Sequence, residues 1–230
     1  MNLFFLVEGR RTESKIYPAW LSYLLPQLQR VKNYRKITQN NYYLIDGGGY
    51  PSIKERIVYY IDEINTINQS PINSNYHHFV ICLDAEEITH EERKNEIETY
   101  INAHEVKLQQ TQLTIIVHQR CMESWFLGNR KIFTRHPQNP DLREYINFYD
   151  VYLNDPEMTG KYIFDTHADF HYHYLKALLS EKYQKLTYTK HDPGPVLEKY
   201  YLEQLQARII TDPTHLLTFQ TFINFCQSVS

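Results

Sequence analysis

Cysteine is scarce in this chain, with three in 230 residues. Cys82, Cys121 and Cys226 are odd in number and widely separated, and no two stand at CxxC spacing. A disulfide framework and a zinc ribbon are thereby excluded as organising devices. Long apolar runs are also missing. The longest, such as Leu3 to Val7, are far too short to span a bilayer. There is no excess of basic charge: Lys+Arg number 24 against 27 Asp+Glu, for a net charge of -3. A chain that coats nucleic acid through overall positive charge is excluded, while a local basic face is not. Neither GxxxxGKS/T nor GxGxxG occurs, so no nucleotide-binding motif is present. No basic segment or small-residue cleavage site precedes the opening apolar run, so no secretory signal is expected and the anticipated compartment is the cytoplasm.

What is present reads as a globular α/β protein. Apolar residues make up 42% and charged residues 22%, far too apolar for disorder. Leu3 to Val7 is a continuous apolar run stopping at Glu8-Gly9, as a buried parallel strand does. From Thr12 to about Arg30, Ile16, Trp20, Tyr23, Leu24 and Leu28 recur at helical spacing, with Pro18 and Pro26 as points of distortion. Tyr42 to Ile45 predicts a second strand, closed by Asp46-Gly47-Gly48-Gly49, and a helix follows from Pro51 to about Ile64. Asn65 to Tyr76 predicts a loop, His78 to Leu83 a third strand ending at Asp84, Thr89 to Lys107 an exposed helix, and Leu113 to Val117 a fourth strand. Met122 to Leu127 opens another helix. Strands alternating with helices argue for a mainly parallel sheet of four strands flanked by helices. Residues 131–230 form a mostly helical C-terminal extension, with Arg135 to Asp141 as loop and helices at Tyr172 to Tyr183 and Val196 to Ile209. The expected division is an α/β core over 1–130 and an extension over 131–230.

The carboxyl ends of the predicted strands, where ligands of open parallel sheets bind, are acidic. Strand one ends at Glu8, strand two at Asp46, and strand three at Asp84 followed by Glu86 and Glu87. Glu123 opens the helix after strand four. Clustered carboxylates raise one another's pKa, and a divalent cation removes that penalty. Carboxylate oxygens suit Mg²⁺ or Mn²⁺ rather than zinc. The plain alternative is that each acid caps a helix or faces solvent; Glu8 and Asp84 resist it best, because each ends an otherwise apolar strand.

The segment Val7-Glu8-Gly9-Arg10-Arg11-Thr12-Glu13, followed by Tyr17, resembles the opening motif of Toprim domains in the overcoming-lysogenization-defect and abortive-infection nuclease group. Leu83-Asp84-Ala85-Glu86 stands where that family has Asp-x-Asp, with Glu replacing the second Asp. Cys121 to Leu127 resembles the acid-then-Trp helix start of small Toprim-like proteins encoded beside ATPases in bacterial defence operons. The likeness covers roughly the first 130 residues. It implies a Toprim-like fold and Mg²⁺- or Mn²⁺-dependent hydrolysis of phosphodiester bonds in DNA or RNA, in antiphage defence, with a possible partner ATPase and no membrane. It further implies that Glu8 binds metal or acts as general base with Glu13 supporting it, that Asp84 and Glu86 hold the metal (Glu87 being the alternative to Glu86), and that Glu123 completes or flanks a second site. Lys190, within Tyr188 to Gly194, is the first candidate to meet the phosphate, and Lys161 the second. Two other readings use the same residues: a Toprim-shaped regulatory subunit without catalysis, and an enzyme acting on small phosphorylated molecules.

Other features point to structure. Asp46 to Gly49 predicts a tight strand-to-helix turn. His167 and His171 share helical spacing but lack an HExxH context, so they and His173 are expected as surface or partly buried residues. Cys82 is expected in the core. The 20 tyrosines suit either base stacking or packing.

Overall fold

In the computed structural model, residues 1–70, 75–183 and 188–230 are described. The chain is an α/β protein built on a five-stranded parallel sheet flanked by helices, with a helical C-terminal part. The strands are β1 (Asn2–Val7), β2 (Gln29–Arg30), β3 (Asn41–Asp46), β4 (His78–Asp84) and β5 (Gln112–His118), in the order β2-β3-β1-β4-β5. Among the described residues, no helix is long and apolar enough to cross a membrane.

Two compact units emerge along the chain. The first holds Met1–Leu83, Glu91–Val117 and Asn224–Ser230; the second holds Asp84–His90 and His118–Ile223.

In the first unit, β1 lies in the middle of the sheet with every residue buried, which is why it reads as an unbroken apolar run. Its register sets Val7 against Asp46 of β3 and against Cys82 of β4. Alternate side chains enter opposite faces. Phe4 meets the rings of Tyr34, Tyr43, Tyr60, Tyr76 and Phe79, while Phe5 meets Tyr17, Tyr42 and Phe225. These tyrosines are packing residues. Helices α1 (Glu13–Leu24), α2 (Ser52–Asn68) and α3 (His90–Ala103) bury Ile16 and Trp20, Ile57 and Ile61, and Ile97 and Ile101 respectively.

Helix α1 ends six residues before the expected Arg30, and the remainder supplies a fifth strand. Leu25 precedes Pro26, and a residue before proline is pushed out of the helical region. Beyond the break the chain is extended, and Gln29 and Val31 donate to the carbonyls of Asn40 and Tyr42. Helix α2 in turn runs one turn past Ile64, into the expected loop. Asn68 at its end is buried, accepting from the Tyr76 N–H and donating to the Tyr76 carbonyl and the Thr111 hydroxyl. The Asp46 to Gly49 turn forms as expected. Gly48 and Gly49 adopt φ of 78° and 83°, a region that favours glycine.

The second unit contains α4 (Met122–Phe126), α5 (Pro140–Phe148), α6 (His167–Lys182), α7 (Lys199–Thr211) and the first half of α8 (Leu217–Ser228). Trp125 is fully buried against His118, Phe219 and Phe222, and its Nε1–H donates to the Thr218 hydroxyl at 2.7 Å. The expected loop over Arg135 to Asp141 gives way at Pro140 to the start of α5. Asn139 caps it, accepting from the Asp141 and Leu142 amides, and Pro140 occupies the first turn, where a missing N–H costs nothing. The three-histidine stretch lies on α6. His171 is wholly buried there, beyond the partial burial expected of it, whereas His173 is exposed.

Glu157 caps α8 from sixty residues away, accepting from the amides of Thr218 and Phe219 and from the Thr218 hydroxyl. Burial pushes its carboxyl up to about 7, although those donors pull it down. The folded chain therefore holds a proton that the unfolded chain releases near its ordinary value of 4.5. Stability from this group is full below that value and is lost as pH rises towards 7, by about 3 kcal/mol. Urea unfolding across pH 5 to 7.5 should show this decline in the wild type and its removal in Glu157→Gln. Parallel curves for the two proteins would refute the assignment.

Candidate active site

The end of β4 delivers Asp84 to the second unit, where it meets the end of β5 and the start of α4. Asp84 is partly buried. Its Oδ1 accepts from His118 Nδ1 at 2.6 Å, with His118 completely enclosed and edge-on to Trp125. The Met122 N–H, at the start of α4, also donates to Asp84. One residue on, Glu123 is buried and accepts from the Tyr188 hydroxyl at 2.9 Å.

Burial, and after it the charge of Glu123, raises Asp84 well above the usual carboxylate range. Glu86 adds to the rise, and Lys190 opposes it. Asp84, Glu86, Glu123 and Lys190 thus share one electrostatic neighbourhood, although Lys190 lies 106 positions after Asp84. A carboxyl raised in this way is held protonated or is complemented by a cation.

The loops after β4 and β5 are locked together. Ala85 donates to the His118 carbonyl at 3.0 Å and Glu86 to the Arg120 carbonyl at 2.8 Å, while Arg120 Nη1 returns a bond to the Ile88 carbonyl. Glu86 and Arg120 both adopt positive φ, 56° and 72°. Non-glycine residues in this region carry strain and gather at functional sites.

Of the other expected residues, Glu86 and Lys190 are exposed. The alternative, Glu87, is engaged elsewhere: its carboxylate accepts from the His167 amide and faces His167 Nδ1, each at 2.8 Å, with Lys161 at 3.8 Å. Lys161 accordingly meets Glu87. His118 and Tyr188 went unnoticed in the sequence. The one available signal was that His118 ends β5 as Asp84 ends β4; Tyr188 carried none.

Glu8 and Glu13 belong to the first unit. Glu8 is buried at the end of β1, where Oε1 accepts from the Tyr50 amide at 3.3 Å and its own N–H donates to the Cys82 carbonyl. Glu13 is buried too, and a Cβ on Gly9 would overlap its carboxyl group. The Glu-Gly-x-x-x-Glu pattern is thus a packed unit in which glycine leaves room for the second acid. Nearby, Arg10 stands 3.5 Å from Asp46.

Cys121 and Ser124 adjoin the site but are sealed off. Ser124 Oγ lies 2.9 Å from His171 Nδ1 and 2.8 Å from the Gln119 carbonyl, while His171 Nε2 faces the Thr159 carbonyl at 3.0 Å. Burial lowers His171 to about 4 and raises the Cys121 thiol well above its usual range. A neutral imidazole and a protonated thiol without solvent access make a structural network, not a nucleophile.

Among the described residues, no group of three or more His, Cys, Asp or Glu side chains is gathered as a cation site. The Asp84–Glu123 pair is an all-oxygen donor set of two carboxylates. That fits Mg²⁺, which keeps several waters and takes one or two carboxylates together with substrate phosphates. It does not fit a closed structural zinc site, which needs four N or S ligands. Comparison with protein-family models, with curated proteins and with solved structures gives no match to this chain.

Proposed function

We propose that this protein is a Mg²⁺- or Mn²⁺-dependent, Toprim-like hydrolase of phosphodiester bonds in nucleic acid. The observation that supports the reading is Asp84: a strand-end carboxylate braced by His118, raised by Glu123 and offset by Lys190.

The metal, when bound, supplies Lewis-acid neutralisation of the phosphate and lowers the pKa of a bound water. Asp84 and Glu123 hold it, with Glu86 as the flexible third carboxylate. The His118 N–H to Asp84 fixes the carboxylate's orientation, and Tyr188 does the same for Glu123, which limits the reorganisation needed on binding. Lys190 is exposed, offsets the charge of the carboxylates at Asp84 and meets the incoming phosphate. The metal-or-base role of Glu8 and the supporting role of Glu13, both in the first unit, rest on the resemblance alone. The defence role, the partner ATPase and a cytoplasmic location belong to this proposal through the resemblance alone.

The competing reading, a Toprim-shaped regulatory subunit without catalysis, is favoured by the lack of a third gathered donor among the described residues. A calorimetric Mn²⁺ titration separates the two. The expected result is binding by the wild type that disappears in Asp84→Asn and is strengthened by a non-cleavable oligonucleotide. No binding at millimolar Mn²⁺, with the oligonucleotide present, would overturn the catalytic reading in favour of the regulatory one.

A further inference from the structure

We propose that the surface formed by residues 130–153 of the second unit binds a single strand of nucleic acid, with a phosphate between Arg135, His136 and Arg143 and a base against Phe133, Ile146 and Leu153. The inference rests on the reading of nucleic acid as substrate and gives that substrate a place to lie outside the acidic site.

Two adjoining depressions make up the surface, of about 370 Å³ and about 230 Å³, sharing Arg135 and Ile146 as their common wall. They differ in chemistry. The larger is lined by Arg135, His136 and Arg143 and by no acid. All three are exposed, and none of their side chains has a hydrogen-bond or ion-pair partner among the described residues. Two guanidinium groups left open on one groove are a planar, always-charged donor set matched to phosphate oxygens.

The smaller depression is mainly apolar. Phe133 packs against Tyr152 with ring centroids 5.2 Å apart, and Leu153 is 64% exposed. A base stacks on an aromatic ring regardless of sequence, and the exposed leucine beside the ring pair adds apolar contact. Arg135 lies over the Tyr152 ring at 5.4 Å and joins the two halves. Arg130 lies over the same ring at 5.3 Å, but it is held by Asp212 at 2.6 Å and by the Tyr152 carbonyl at 2.8 Å, so it braces the platform and is not free for phosphate.

The acids nearby are otherwise occupied or turned away. Asp150 borders the smaller depression, yet its Oδ1 accepts from the amides of Tyr152 and Leu153 at 2.8 and 3.1 Å. Glu144 accepts from the Tyr162 hydroxyl. Asp141 stands two residues before Arg143 on α5, a spacing at which helical side chains do not face one another. Glu181 adjoins Gln138 in the wall of the larger depression, but its carboxylate accepts from the amides of Gln138 and Asn139 at 2.7 and 3.3 Å, so a phosphate there meets the two guanidinium groups. The alternation of a cationic groove with an apolar dimple matches the alternation of phosphate and base along a strand. A purely acidic peptide would leave the dimple empty.

The test is fluorescence anisotropy with a labelled twelve-residue oligothymidylate in EDTA, which leaves the metal chemistry out of the measurement. Wild type should bind, and Arg135→Ala/Arg143→Ala should bind at least about tenfold more weakly at low salt. The slope of log affinity against log salt should fall in magnitude by about 0.7 in that variant, since the one phosphate placed between the two arginines accounts for about 0.7 on a single strand. Leu153→Asp should weaken binding without changing the fold, because Leu153 is exposed. Thymidine monophosphate and polyglutamate should compete poorly. Full competition by the monophosphate would make this a free-nucleotide site, and full competition by polyglutamate an acidic-peptide site; either overturns the proposal. Binding unchanged in the double variant overturns this surface alone. Absence of strand binding by the wild type, both in EDTA and with Mn²⁺, overturns the nucleic-acid reading with it.

Discussion

Asp84→Asn is expected to lose metal-dependent cleavage while becoming more stable than the wild type at alkaline pH in EDTA. The two effects have one source. Asp84 is partly buried beside the charge of Glu123, so its ionised form is disfavoured in the fold and its pKa is raised. A raised carboxyl contributes stability below its ordinary value of 3.8 and loses it as pH climbs through the folded-state value. Asparagine removes the charge but keeps an oxygen that can accept from His118 and from the Met122 amide. The folded architecture is therefore retained without the repulsion. For function the same change removes a proposed metal ligand. Since even residues that only orient ligands cost 10- to roughly 100-fold in metal affinity, loss of the ligand itself should cost at least about 100-fold. Thermal unfolding at pH 5 and pH 8, alongside Mn²⁺-dependent cleavage of an oligonucleotide, reads both. A variant less stable than wild type at pH 8 would contradict the electrostatic account; full cleavage would contradict the catalytic one.

Arg208→Ala is expected to destabilise the protein by about 3–5 kcal/mol. Arg208, on α7, is 2% exposed and ties together three carbonyls, from Gly128, Val151 and Asn154 at 3.2, 2.7 and 2.7 Å, and His215 Nδ1 at 3.1 Å. Burial lowers its pKa to about 10, so it stays charged at neutral pH. Removing it leaves those acceptors enclosed without donors and opens a cavity, and both costs fall on the same helix contact. Arg208→Lys should recover only part of the loss, because one ammonium cannot span acceptors arranged around a planar fork. Urea denaturation of the three proteins measures the order. An alanine variant within about 1 kcal/mol of wild type would show that the buried guanidinium is dispensable.

The strands were legible because their positions in the sheet match their composition. Leu3 to Val7 and Phe79 to Leu83 are buried on both faces, and a strand covered on both sides has no polar alternation to hide it. The acids that end those strands were legible for the same reason, as abrupt charge at the edge of apolar runs. Helices α5 and α8 were not. Helix α5 begins at a proline, a residue that reads as a loop signal until an Asn cap precedes it. Helix α8 takes its cap from Glu157, sixty residues upstream, so no local cue announces it.

The residues themselves determined which segments alternate as strand and helix, where the carboxylates fall, and that three cysteines would not organise the fold. Those are local matters of periodicity and of charge at strand ends. Only the tertiary structure decided the partners: His118 for Asp84, Tyr188 for Glu123, Glu157 for α8, and Arg208 for carbonyls from two separate segments. It also assigned the tyrosines around Phe4 to packing, because a ring's role depends on what covers its face. Each of these rests on burial that brings distant residues into one low-dielectric place, where hydrogen bonds and charges gain a strength that chain order does not encode.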